Sequence, residues 1–548
     1  MGKKILTQTT CIVFFLGLVA GPLFAGIAAV HGDPARVPMQ KVMLVFDSAG
    51  FNGDISSLSH ADQMRYLKVR ALASQARVLR FLEIEKRLGR VRDYRRFWIS
   101  NAVWVDAQKS LIDELSAYYD VSRVLLGDEI QPQIGPDGAG MRSTEEGLTV
   151  MGADSLWKAG LTGLGRIACI IDTGVDGMHP SLSERWRGAQ EGVDWSEAWF
   201  DPVGATQFPE DADGHGTFMA GLAVGRAASD TVGAAPDALW IAARAIGGDF
   251  IADLLASLEW AYDPDGDPAT LDDVPHVLPL TWSFLGTCDD LLWEAIDNLE
   301  ATGVAVLTSV GGYGPGAGTV GSPADRIASP VNSFSIGTVD GGTPGYPVAS
   351  FSARGPSGCD GVTVKPELVA PGVNVRSAVP GGGYSVWSGT SLSAAYVAGG
   401  FLLLSQAEAS GDNDTIKSAL LSGATDLGPA GEDNTYGWGL ANLPSALEDL
   451  GGLVPVRIDL EPEHATAGPG DTVLIDFTIA NVTSLEETFE AFLGVMPPVG
   501  DDLILNRRQV SLTPLTSIAG ELPLRVPAKA PMGEYQVVGL LARLAPFT

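Results

Sequence analysis

Between residues 165 and 400 one pattern recurs that leaves few folds open. Short, continuous apolar runs, "RIACII", "ALWIAARA", "HVLPLTW" and "GVAVLTSV", alternate with helical segments such as "DLLASLEWAY" and "DDLLWEAIDNLEATG". A strand that is apolar on both faces has to be covered on both, and strands separated by helices pair in parallel. Residues 141–450 are therefore expected to form an α/β domain, a parallel sheet with helices on either side.

The flanks read differently. Residues 31–140 contain a strand "KVMLVF", a long basic helical stretch "ADQMRYLKVRALASQARVLRFLEIEKRLGR", one strand "RFWISNAVWVDA", a helix "SLIDELSAYY" and a strand "SRVLL", the order of a small α+β unit. The Pro- and Gly-rich "QPQIGPDGAGMR" at 131–142 reads as a linker. From 451 to 548 the pattern becomes short runs with turns, such as "VRIDLEP", "TVLIDFTIANV" and "YQVVGLLARL", which fit a β-sandwich. A chain of 548 residues is long enough for several such cores.

The formal net charge is −31, which argues against nucleic acid as a partner, because a polyanion would be repelled. Against that background, residues 65–96 hold eleven Lys or Arg and only Glu83, Glu85 and Asp93. A basic unit beside an acidic body is drawn to it; a solvated basic helix face is the plainer reading. At the N-terminus Lys3 and Lys4 precede an apolar run over 11–30 that ends in small residues, the layout of a secretory signal peptide over 1–30 with cleavage near Ala25 or Ala28. An uncleaved anchor is the alternative. The expectation is secretion to an extracellular or periplasmic space, with no membrane attachment once the signal is gone. Cys169, Cys288 and Cys359 then remain. Cys169 sits in an apolar run and reads as a small buried hydrophobe, while Cys288 and Cys359 lie in polar loops and are expected to form a disulfide.

Three motifs in the α/β region carry chemistry. "IACIIDTGVDGMHPSL" puts Asp172 at the end of a buried strand, "DADGHGTFMAG" puts His215 between two glycines at a helix start, and "WSGTSLSAAYVAGG" puts Ser391 at the head of an apolar helix. Each alone has an ordinary reading, as a helix cap or a structural histidine. Together they supply what a hydroxyl nucleophile needs: a base to take its proton and a carboxylate to orient that base. Their order along the chain, Asp, His, Ser, is one of the known orders of this constellation. With "HPSL", "FSARGPS", "KPELVAPGV" and "YGWGLAN", these stretches resemble the subtilase family of serine proteases, peptidase S8, over about 150–447, and "AVPGGGYSVWSGTS" is most similar to its bacillopeptidase F-like branch.

The resemblance implies a subtilisin-like catalytic domain and an inhibitory propeptide over 31–140 that the enzyme itself removes. It implies a substrate strand along Ser283, Phe284 and Leu285 and a facing edge at Ser309, Val310 and Gly311, with Asp172, His215 and Ser391 as the triad. Partners would be protein or peptide substrates and the chain's own propeptide. No cofactor or catalytic metal is required. A structural calcium stays open at the insertion "DPDGDPATLDD", although Gly266 is misplaced for an EF-hand loop and no closing Glu follows.

Departures from the family pattern are expected to matter. Leu392 and Ser393 follow the serine where Met-Ala is usual, Ala395 and Tyr396 replace a Pro and a His, and Leu285 replaces a glycine beside the first specificity pocket. In "SVGGYGPG", at 309–316, Gly312 stands where the family carries the asparagine that donates to the oxyanion. No Asn or Gln lies anywhere from 299 to 331, so a one-residue slip cannot restore it. In subtilisin, loss of that donor costs about 10²–10³ in kcat. The chain thus reads as a secreted, self-processing serine endopeptidase with a weakened oxyanion hole, and Tyr313 or a water is a candidate substitute donor. The competing reading is a catalytically impaired or inactive subtilase-like binding protein. An esterase is disfavoured, because no G-x-S-x-G elbow surrounds Ser391.

Overall fold

The computed structural model describes residues 38–47, 55–116, 121–126, 145–227, 230–284, 288–408, 412–452 and, in the C-terminal region, 456–462, 468, 471–483, 487–496, 503–513, 516–526 and 536–543. The signal-peptide run, the 131–142 linker and Leu285 lie outside these residues.

The centre is a seven-stranded, wholly parallel sheet in the spatial order Leu368–Pro371, Ser335–Val339, Ala305–Ser309, Val277–Leu280, Ile167–Asp172, Leu239–Arg244, Trp199–Phe200. The strands Ile167–Asp172, Val277–Leu280 and Ala305–Ser309 are buried along their whole length, as their unbroken apolar runs require. Two helix pairs cover the sheet: His215–Val224 with Thr390–Ala407, and Phe250–Tyr262 with Trp293–Glu300. Among the described residues Cys288 and Cys359 form a disulfide, with Cα atoms 4.7 Å apart, and Cys169 is a buried free thiol.

Ahead of this body, four antiparallel strands, Val91–Phe97, Ala102–Gln108, Met39–Phe46 and Val121–Leu126 in spatial order, pack with the helix His60–Arg87. Ser59 caps that helix by accepting the Asp62 N–H, and its buried positions, among them Met64, Leu67, Ala71, Val78 and Leu82, recur at helical spacing. The single strand expected over 96–107 is instead a hairpin. Asn101 takes φ 46°, a conformation that Asn tolerates, and its side-chain amide donates to Phe46 O at 3.1 Å.

The hairpin tip is a contact with the body. Glu259 accepts the N–H groups of Trp98 and Ile99, and Asn298 Nδ2 donates to Ile99 O at 2.7 Å. Four ion pairs bridge the same face: Arg95 with Asp253 at 2.6 Å, and Lys41–Asp249, Arg70–Glu294 and Arg123–Asp290. Of the basic residues in 65–96, Arg70 and Arg95 reach across, whereas Lys86, Arg87, Arg90 and Arg92 pair within the unit itself. Met64, Leu67, Phe97, Ile99 and Trp104 join the same apolar cluster as the central sheet, so burial shares the work with charge.

Beyond 455, the strands Val456–Pro462, Thr472–Asn481 and Ser517–Arg525 form one antiparallel sheet, and Leu503–Leu512, Glu487–Met496 and Gln536–Arg543 a second. Ile479 from the first meets Phe489, Val510 and Leu512 from the second, which is the core of a small sandwich.

Candidate active site

The strand Ile167–Asp172 lies between Leu239–Arg244 and Val277–Leu280. From it the chain first runs to one half of the sheet and then returns to build the other, so successive connections diverge at its carboxyl end. A switch point of this kind opens a crevice above the strand ends. Asp172 is the last residue of that strand, fully buried, and its carboxylate is saturated: Thr173 N–H donates at 2.7 Å, Thr281 Oγ1 at 2.7 Å, and His215 Nδ1 lies 2.8 and 2.9 Å from its two oxygens.

His215 opens the helix His215–Val224. The preceding acidic turn fixes where that helix begins, since Asp211 accepts the Gly214 N–H at 2.9 Å, the Thr217 N–H at 3.0 Å and the Thr217 hydroxyl at 2.6 Å. Gly216 lets the helix approach the DTG loop, because a Cβ there would sit 2.0 Å from Gly174 O. Ser391 is the second residue of the helix Thr390–Ala407, which is buried on every side and so sits inside the body rather than on it. Its Oγ lies 3.2 Å from His215 Nε2. The structure thus brings Asp172, His215 and Ser391 from three separate elements into one hydrogen-bonded line.

The glycine loop follows the strand Ala305–Ser309. Ser309, Val310 and Gly311 are buried. Gly311 takes φ 91°, and a Cβ on it would lie 2.5 Å from Ser283 Oγ, so glycine is required there for both conformation and space. Gly312 comes next, half-buried. Tyr313 does not act as a free donor: its hydroxyl donates to Ser283 O at 3.1 Å. Ser283 and Phe284 are buried past the end of Val277–Leu280, and Phe284 exchanges both backbone hydrogen bonds with Ser322, at 2.9 and 3.2 Å. In an extended chain, successive residues point their backbone groups to opposite edges, which leaves Ser283 facing the other way.

Residues 163–439 match the subtilase family, Peptidase_S8. The chain belongs to this family. It is 31% identical to Bacillopeptidase F of Bacillus subtilis (strain 168) over 411 residues, 70% of this chain but 28% of that protein. It is also 32% identical over 311 residues to Subtilisin BL of Lederbergia lenta, spanning 56% of this chain and 99% of the relative, and 27% identical to Subtilisin E of Bacillus subtilis (strain 168), spanning 72% of that relative. The chain thus covers a little over a quarter of the length of the bacillopeptidase and nearly all of Subtilisin BL.

Within this subtilase site the two ionisable partners shift each other. Burial alone would push the Asp172 carboxyl up, but the charge of His215 and the donors His215, Thr281 and Thr173 outweigh it and hold the group below the usual carboxylate range. Burial alone would push the His215 imidazole down, yet the Asp172 charge and hydrogen bond, helped by Asp213 and Asp211, raise it above the ordinary histidine value.

Two contributions lay beyond the sequence reading. Thr281, which holds the second Asp172 oxygen, stands just past the end of the neighbouring strand Val277–Leu280; only knowledge that this strand pairs beside Ile167–Asp172 would have singled it out. Ser393, read only as a departure, bonds Ala370 O at 2.9 Å and Thr338 Oγ1 at 2.8 Å, fastening the serine helix to the sheet. Tyr396 is fully buried, and its bulk is accommodated beside Gly147.

Proposed function

We propose that the chain is a secreted serine endopeptidase made as a self-processing precursor. The observation that carries this reading is the short line from Asp172 through His215 to Ser391, with Oγ 3.2 Å from the imidazole. In this mechanism Ser391 Oγ attacks the peptide carbonyl carbon while His215 Nε2 takes its proton. Asp172 keeps the ring in the tautomer whose Nε2 can accept and stabilises the imidazolium that forms. His215 then gives the proton to the leaving amine. Water, activated by the same ring, hydrolyses the acyl-enzyme and restores Ser391.

The tetrahedral oxyanion is met by the Ser391 backbone N–H at the head of Thr390–Ala407, where unpaired N–H groups and the helix dipole favour negative charge. Gly312 contributes no side-chain donor. The substrate lies extended between Ser283, Phe284 and Leu285 on one side and Ser309, Val310 and Gly311 on the other. Residues 31–140 act as the inhibitory propeptide, 141–450 as the catalytic domain and 451–548 as a β-sandwich appendage. The unit built on His60–Arg87 is docked on the helices that carry Asp253, Glu259 and Asn298.

Gly312 favours a second reading, a catalytically impaired subtilase that binds partners. A fluorophosphonate probe separates the two. The enzyme reading expects labelling of wild type and none of Ser391→Ala, together with cleavage of the wild-type precursor near residue 140 and an intact Ser391→Ala chain. A correctly folded wild type that neither labels nor cleaves itself would establish the binding-protein reading.

A further inference from the structure

The loop between the helix Phe250–Tyr262 and the strand Val277–Leu280 gathers Asp263, Asp265 and Asp273, each with a carboxylate oxygen within 4.8 Å of the others. None of the ion pairs among the described residues reaches these three groups. Acidic clusters on surfaces are common and mean little alone. This one is set apart by its interior: Asp273 is 0% exposed, its Oδ2 accepts the Asp265 N–H at 2.8 Å, and its Oδ1 is buried without a hydrogen-bond donor. Asp263 Oδ1 is likewise buried and without a donor. Two orphaned carboxylate oxygens in one cluster are costly unless a cation completes them.

The loop around them is shaped rather than slack. Asp265 Oδ1 accepts the Asp267 N–H at 2.7 Å, Asp265 Oδ2 accepts the Thr270 hydroxyl at 2.7 Å, and Gly266 takes φ 77° at the tightest turn. All the donors on offer are hard oxygens, which suit calcium or magnesium rather than a transition metal. Calcium fits such a loop better: it accepts six to eight oxygens, carboxylate and carbonyl, in flexible geometry, whereas Mg²⁺ demands a near-ideal octahedron and keeps several of its waters.

We propose that Asp263, Asp265 and Asp273 form a structural calcium site that fastens the loop 263–273. The helix on one side of it presents Asp253 and Glu259 to the N-terminal unit, and the strand on the other leads to Thr281 beside Asp172. A cation there ties the docking helix to the strand that supports the candidate triad, without taking part in any reaction.

The test uses the full chain carrying Ser391→Ala, so that self-cleavage cannot confuse the melting curve. With Ca²⁺ at about 10 mM in place of EDTA, the melting temperature is expected to rise by about 5 °C, as saturation about 100-fold above an extracellular-type affinity would give. Adding Asp273→Asn should abolish most of that rise. Asp265→Asn, at an exposed position where the amide oxygen can still accept the Asp267 N–H and the Thr270 hydroxyl can rotate to accept from the amide NH₂, should reduce it and guards against a folding defect in the buried variant. Terbium luminescence excited through the adjacent Tyr262 should appear in the parent, fall on addition of Ca²⁺, weaken with Asp265→Asn and be lost with Asp273→Asn. Equal calcium shifts in parent and variants, or an equal response of the parent to Mg²⁺, would overturn the assignment.

Discussion

Asp172 closes one strand of the sheet and Gly312 stands just past the end of another, with the single strand Val277–Leu280 between those two, yet they are built in opposite ways. The aspartate is held by Thr173, Thr281 and both contacts to His215, so its position is over-determined. Past Ser309 the chain instead narrows to glycine, with Gly311 demanded by conformation and by the nearness of Ser283, and Gly312 carrying no side-chain donor. The difference teaches where a hydrolase of this kind concentrates its precision. Moving a proton requires one tautomer and one ring orientation, which a network of hydrogen bonds supplies. Stabilising an oxyanion requires only donors aimed at one point, and backbone N–H groups at a helix head supply part of that without any side chain.

If the aspartate side is the indispensable one, breaking it should have the largest effect. Asp172→Asn keeps the shape but offers His215 the wrong partner, and kcat should fall by about 10⁴. A second readout follows from the ionisation. The neutral imidazole is the working base, and its affinity for protons is raised by Asp172, so kcat/KM of wild type should fall as pH drops through a value above the ordinary histidine pKa. With asparagine the raising partner is gone, and that acid limb should move to lower pH. A limb that stays in place would mean that another group controls it.

Gly312→Asn sharpens the comparison from the other side. An amide there acts on the tetrahedral intermediate more than on bound substrate, so kcat should rise by up to about 10² with KM nearly unchanged. The left-handed position in the loop is Gly311, so the substitution spares the residue whose backbone is most demanding. Unchanged kcat in a folded variant would show that the hole is already complete.

How far the sequence could see differs between these two sides. The parallel sheet was legible because fully buried strands cannot alternate; that 299–331 hold no Asn or Gln is a sequence fact, while the oxyanion position proposed for Gly312 rests on the family resemblance. The hairpin at 91–108 was not, because its turn depends on Asn101 adopting a left-handed conformation inside an otherwise strand-like run. Thr281 was hidden for another reason. Its role is created by which strands become neighbours, and a parallel pairing joins residues more than a hundred positions apart.

The smallest expected effect tests the link between the two sides. Tyr313 lies one residue past Gly312, and its hydroxyl donates to Ser283 O, the carbonyl on the edge proposed to bind an extended substrate. A substrate N–H that needs this acceptor has to displace the phenol first. Tyr313→Phe removes the competitor while keeping the ring against Val310 and Val320, whose small apolar cluster it packs on. A hydrogen bond of this kind has a net worth of about 0.5–1.5 kcal/mol, so KM should fall by about 2- to 10-fold while kcat holds, the pattern of an effect on ground-state binding alone. A fall in kcat instead would place the hydroxyl in the transition state, as the donor that Gly312 lacks, and the contrast between a furnished relay and a bare oxyanion loop would then fail.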